Sequence, residues 1–139
     1  MLAAALLAAA ILHTAGPSPA AQLAAVERAA TFQVLLLPSS TQLLRAEVSR
    51  DNARVRLEYA IEGSVIRVDE HVETAADQAS PDAQGDLFDL EGYPALYETY
   101  AGSNGLSALT WYRPDVLVTL SSRDTVSEPL LIDVALELR

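Results

Sequence analysis

LRAEVSRDNARVRLEYAIEGSVIRVD, residues 44–69, decides the fold. Leu44, Ala46 and Val48 alternate with Arg45, Glu47 and Ser49. Beyond Asp51-Asn52, the residues Val55, Leu57, Tyr59 and Ile61 alternate with Arg54, Arg56, Glu58 and Glu62. A period of two sends successive side chains to opposite faces of a strand. The stretch therefore predicts an antiparallel hairpin with one dry and one wet face. Gly63 allows a second turn, and Ile66 and Val68 against Arg67 and Asp69 add a third strand to the same meander.

Outward from this stretch the pattern changes twice. Between Glu73 and Asp86 the chain has no apolar period and carries turn residues, which predicts an exposed loop with order resuming near Leu87. Tyr93 to Tyr100 and Leu106 to Arg113 are strand-like, and Gly102-Ser103-Asn104-Gly105 supplies the positive φ angles of a tight hairpin. A turn at Arg113-Pro114-Asp115-Val116 then sets Trp111 beside Val118 and Leu109 beside Leu120, so both strands share an apolar face.

Helical signals stand at the two ends. Residues 20–31, AAQLAAVERAAT, combine strong helix formers with Leu23, Val26 and Ala30 on one side. Phe32 to Leu37 is a dense apolar run closed by Pro38, read as a buried strand or an extended linker. Near the C-terminus, Thr125 with Glu128 fits a capping box, Pro129 suits a first turn, and Val126, Leu130, Val134 and Leu138 recur at helical spacing. The expected fold class is α+β: an antiparallel meander sheet of five to six strands, with an N-terminal and a C-terminal helix packed on one face.

Composition narrows the functions. All nine basic residues are arginine, against nineteen acids, for a net charge of −10. Such a surface repels phosphate backbones and anionic headgroups, which argues against nucleic acid and against peripheral membrane binding. With no cysteine there is no disulfide framework, thiolate metal site or cysteine-linked lipid. With no lysine there is no Schiff-base chemistry. No cofactor is expected.

The first residues, MLAAALLAAAIL (1–12), form an uncharged apolar run of signal-peptide length, too short to span a bilayer of about 30 Å. Ser18-x-Ala20 offers the small residues that signal peptidase accepts, so residues 1–20 are read as a leader and 21–139 as a single α+β domain. Two other readings stand beside it: the end of a longer membrane helix, and an alanine-rich structural helix. The first two place the domain outside the cytoplasm, as a secreted, periplasmic or membrane-tethered protein. An uncleaved leader would then be its membrane contact.

Several stretches together carry a resemblance: Phe32-Gln33-Val34-Leu35-Leu36-Leu37-Pro38, the Val55 to Tyr59 strand, Leu90-Glu91-Gly92-Tyr93-Pro94-Ala95-Leu96-Tyr97, Leu109-Thr110-Trp111-Tyr112, and the closing helix. In this order the chain resembles an uncharacterised extracytoplasmic domain that follows the membrane helix of some bacterial anti-sigma factors and also occurs in secreted proteins and lipoproteins. The resemblance runs over most of residues 20–139. Where such domains usually have a proline-glycine segment, Ser39-Ser40-Thr41-Gln42 stands here. The resemblance implies a non-enzymatic binding or sensory domain, as in an envelope-signalling system, with a protein partner or a ligand and no catalytic residue.

Residue by residue, few sites suggest themselves. Tyr59, Tyr93, Tyr97, Trp111 and Tyr112 are candidates to line a pocket for a small apolar ligand such as lipid, and packing of the sheet faces is the plainer explanation. Asp69-Glu70-His71-Val72-Glu73 would bind metal only if its side chains converged, which strand alternation opposes. Asp82 to Asp89 departs from calcium-loop spacing. Arg45, Arg54, Arg56 and Arg67 interleave with Glu47, Glu58, Glu62 and Asp69, as cross-strand ion pairs would. No G-x-S-x-G is present, and a hydrolase using paired carboxylates remains the weakest expectation.

Overall fold

The computed structural model describes residues 16–72, 85–99, 107–122, 124 and 126–139. Residues 1–15 of the expected leader, residues 73–84 of the loop expected between Glu73 and Asp86, Tyr100 with the Gly102 to Gly105 turn, and Thr125 lie outside the described residues. The alternating stretch forms β1 (Gln42–Val48), β2 (Arg54–Ile61) and β3 (Ser64–Val72). They pair antiparallel, Leu57 lying opposite both Ala46 and Val68. Val55, Leu57 and Tyr59 are buried on the dry face with Ile66 and Val68. On the wet face Arg56 lies opposite Asp69 and binds it at 2.9 Å, and Arg67 reaches Glu58 at 3.1 Å.

One position departs from the expected alternation. A β-bulge between Leu43 and Arg45 puts Leu43 opposite Tyr59 and leaves Leu44 turned outward, 37% exposed. The extra residue in one strand reverses the parity of everything before it. Leu43, not Leu44, therefore packs against the core.

The second half supplies β4 (Gly85–Leu90), β5 (Tyr93–Thr99), β6 (Ser107–Arg113) and β7 (Val116–Ser122). The predicted register holds, with Leu109 opposite Leu120 and Trp111 opposite Val118. The sheet has seven strands in the order β1-β2-β3-β7-β6-β5-β4, so two meanders meet where β3 pairs with β7. Five to six were expected, and β4 is the addition. It is an edge strand that buries Leu90 and half-buries Phe88 while leaving Leu87 79% exposed, so Gly-Asp-Leu-Phe-Asp-Leu shows no strict alternation. Its turn to β5 puts Glu91 at φ 50° and Gly92 at φ 90°, the paired positive angles of a tight hairpin.

Both helices cover the dry face. Helix α1 (Pro19–Ala29) opens on Ser18, whose hydroxyl accepts the Ala21 N–H at 3.2 Å. Helix α2 (Glu128–Glu137) is capped by Ser127, which accepts the Leu130 N–H at 3.3 Å; Glu128, expected as the reciprocal member of a box, is itself the first helical residue. Val26 of α1 and Leu131, Val134 and Ala135 of α2 join the sheet residues in one core. Between the helices, residues 31–38 run as an extended strap. Leu36 exchanges both backbone hydrogen bonds with Arg139, at 2.8 and 3.1 Å, and Thr31 donates its N–H to the Asn52 carbonyl. The apolar run at Phe32 to Leu37 is thus the extended linker of the two alternatives, with Val34, Leu35 and Leu37 buried against the sheet.

Candidate functional site

The end of the strap, α1 and the start of β1 enclose a groove. Pro38 closes the strap, and the Thr41 N–H returns to the Pro38 carbonyl at 2.8 Å to form the turn. The bulge presents Leu43 inward, while α1 offers Pro19, Ala20 and Leu23. With Leu36 and Leu37 from the strap and Tyr59 from β2, these residues surround about 640 Å³. Ser39, Thr41 and Gln42 supply polar atoms. The wall is firm along β1, because Gln22 of α1 accepts the Ala46 N–H of this edge strand at 3.0 Å. The Tyr59 hydroxyl receives the Leu37 N–H at 3.4 Å, and burial raises its pKa above the usual phenol value.

The earlier part of the strap borders a second cavity of about 560 Å³, with Phe32, Gln33 and Leu35 on one side and Arg113, Pro114 and Arg139 on the other. Beneath the strap lies Glu70, fully buried. It occupies a dry-face position of β3 opposite Val55 of β2 and Val118 of β7. Its Oε2 accepts the Leu35 N–H at 2.9 Å, and its Oε1 has no hydrogen-bond partner among the described residues. Burial lifts this carboxyl from the ordinary 4.5 to about 7, against the opposing effects of the Leu35 N–H and of Arg113.

The aromatic candidates do not converge. Tyr59 lines the groove. Trp111 is buried in the core, and Tyr97, half-buried against it, donates its hydroxyl proton to Ser107 Oγ at 3.1 Å. Tyr93 also packs on the core, with the Arg113 guanidinium 5.2 Å above its ring. Tyr112 sits on the opposite face of β6, half-buried. In the Asp69 to Val72 run, alternation sends Glu70 into the core and Asp69 and His71 to the opposite side of the sheet. Among the described residues no three His, Cys, Asp or Glu side chains are grouped to hold a metal ion. No helix among them is long and apolar enough to cross a membrane.

Comparison of the chain with protein-family models, curated proteins and solved structures returns no match. Glu70 is the group that the reading of residues missed, because it was grouped with its acidic neighbours. Its parity was the available signal: Ile66, Val68 and Glu70 are spaced by two, so a strand that buries the first two buries the third.

Proposed function

We propose that this chain is a non-enzymatic binding domain that works outside the cytoplasm and takes an apolar chain in the groove between α1, the strap and β1. The observation that carries this reading is the groove itself: about 640 Å³ walled by Leu23, Leu36, Leu37, Pro38 and Leu43. Apolar ligands favour concave sites with a few oriented polar groups, and Tyr59, Thr41 and Gln42 meet that need here. The extracytoplasmic placement rests on the apolar leader and on the resemblance to the domain of anti-sigma factors. A sensory role in envelope signalling would follow if an occupied groove altered a partner's contact with the domain. A non-enzymatic role is favoured because three carboxylates on the wet face of β1 to β3 lie against arginines: Asp69 on Arg56, Glu58 on Arg67 and Glu47 on Arg45.

The test uses the neutral fluorescent probe N-phenylnaphthylamine with the full chain, and mass spectrometry of an organic extract of the purified protein. Saturable probe binding that Leu23→Glu and Leu36→Glu each weaken at least tenfold supports the reading. Equal binding by both variants, or an extract without any apolar compound together with no probe binding, overturns it.

A further inference from the structure

The Leu35 peptide held by Glu70 directly precedes the groove wall in the strap: Leu36 and Leu37 line the groove, and Leu35 lines the second cavity. We infer that Glu70 is a proton-operated latch on the strap, protonated while the strap is seated over it and ionised when the strap lifts and water reaches the carboxyl. Loading of the groove is then regulated by pH. The regulated loading rests on the groove reading above; the latch rests on the Glu70 geometry alone.

With the strap seated, an ionised Glu70 has one oxygen on the Leu35 N–H and the other without a donor among the described residues. A buried charge in this position is relieved in one of two ways, by taking up a proton or by admitting water. A protonated carboxyl still accepts the Leu35 N–H on its carbonyl oxygen, more weakly than the carboxylate does, so the seated strap keeps this hydrogen bond by the first route.

The surrounding groups leave the balance with burial. On the dry face of β2 the titratable group is Tyr59, whose hydroxyl is engaged with Leu37 and whose own environment includes Glu27 of α1. From β6, Arg113 favours the ionised form. Strand β7 presents Val118 and Leu120 on this face, α2 turns Leu131 and Val134 inward, and its C-cap Leu138 is buried beside them, all uncharged. The strap adds the neutral Gln33. Burial outweighs Arg113 and the Leu35 N–H and sets the carboxyl near 7 when the strap is seated. A hydrated carboxyl returns to about 4.5, so by linkage the ratio of seated to lifted strap falls on the order of 300-fold as pH rises between these values.

The test is amide hydrogen exchange of Leu36 and Leu37 in the full chain between pH 5 and 8, referenced to the core amides of Leu57 and Leu109 to remove the intrinsic pH effect. Glu70→Gln keeps the shape and the acceptor and removes the titration. The wild type should lose at least tenfold of the relative protection at Leu36 and Leu37 as pH rises, and Glu70→Gln should show no pH dependence. Constant protection in the wild type, or an unchanged loss in Glu70→Gln, overturns the latch. Fluorescence of Trp111, the single tryptophan, gives a measurement that needs no variant at Glu70. A transition near neutral pH that persists in His71→Gln supports the latch, and one that His71→Gln abolishes overturns it. Affinity for N-phenylnaphthylamine falling over the same range supports regulated loading. Constant affinity beside a changing strap overturns regulated loading and leaves the latch standing.

Discussion

Glu70 Oε2 and the Leu35 N–H meet at 2.9 Å across 35 residues of chain, a charged-type side chain holding a backbone segment among largely apolar buried residues. The folded-state pKa of Glu70, about 7, lies above the ordinary 4.5 of an unfolded chain, so the folded protein binds this proton more tightly. The contribution is fully present below pH 4.5, is lost as pH rises toward 7, and is flat above that, amounting to about 3 kcal/mol. Urea unfolding at pH 5 and pH 8 should show this loss in the wild type. Glu70→Gln should flatten it; an equal loss in the variant would rule out Glu70 as the source.

The bulge in β1 separates two adjacent leucines. Leu44 points to solvent and Leu43 packs on the core opposite Tyr59. Leu44→Thr should change stability by less than about 0.5 kcal/mol, as for a surface position. Leu43→Thr should cost about 1–3 kcal/mol, because it places a hydroxyl among apolar groups at the groove wall. Thermal melts of the two variants decide the matter, and the reverse order would mean that the strand runs without the bulge.

Gln22 ties α1 to the sheet edge through the Ala46 N–H. Gln22→Ala leaves that part-buried donor unsatisfied and should cost about 1–3 kcal/mol. It should also deprotect the Ala46 amide in hydrogen exchange while the central strands stay protected. Uniform deprotection of the whole sheet would contradict a local role.

Helix α2 begins at Ser127, not at Thr125. Ser127→Ala should therefore destabilise the protein by about 1 kcal/mol in chemical denaturation. Thr125→Ala should cost less, and a larger loss at Thr125 would restore the expected capping box.

Core truncation offers a scale for these effects. Leu120 is fully buried between Val68 and Leu109. Leu120→Ala should cost about 2–5 kcal/mol, from the lost burial and the cavity left behind. A loss under 1 kcal/mol would mean that the two meanders do not meet as described.

Much of the sheet was legible because its signals are local. The period of two from Val55 to Val68 fixes which side chains face inward, and the Pro114-Asp115 turn fixes the pairing of Trp111 with Val118. The wet-face charges were readable for the same reason, since Arg56 and Asp69, or Glu58 and Arg67, fall opposite once the register is set. β4 was not legible, because the outward Leu87 stands beside the inward Phe88 and breaks the period of two in the residues. The bulge at Leu43 was hidden too: an inserted residue leaves the composition of a strand unchanged while reversing its faces.

From its residues alone, this protein is determined to be α+β, strongly acidic and built on antiparallel hairpins with helices at both ends. These follow from side-chain periodicity, charge and turn chemistry, which act over a few residues. The strap, the groove and the latch were decided by tertiary structure. Leu35 and Glu70, Gln22 and Ala46, and Leu36 and Arg139 are distant in sequence, and only the packed helices and sheet bring each donor to its acceptor. Burial likewise turned Glu70 from one acid in a polar run into the carboxyl that takes up a proton near neutral pH, because desolvation depends on what the whole fold places around a group.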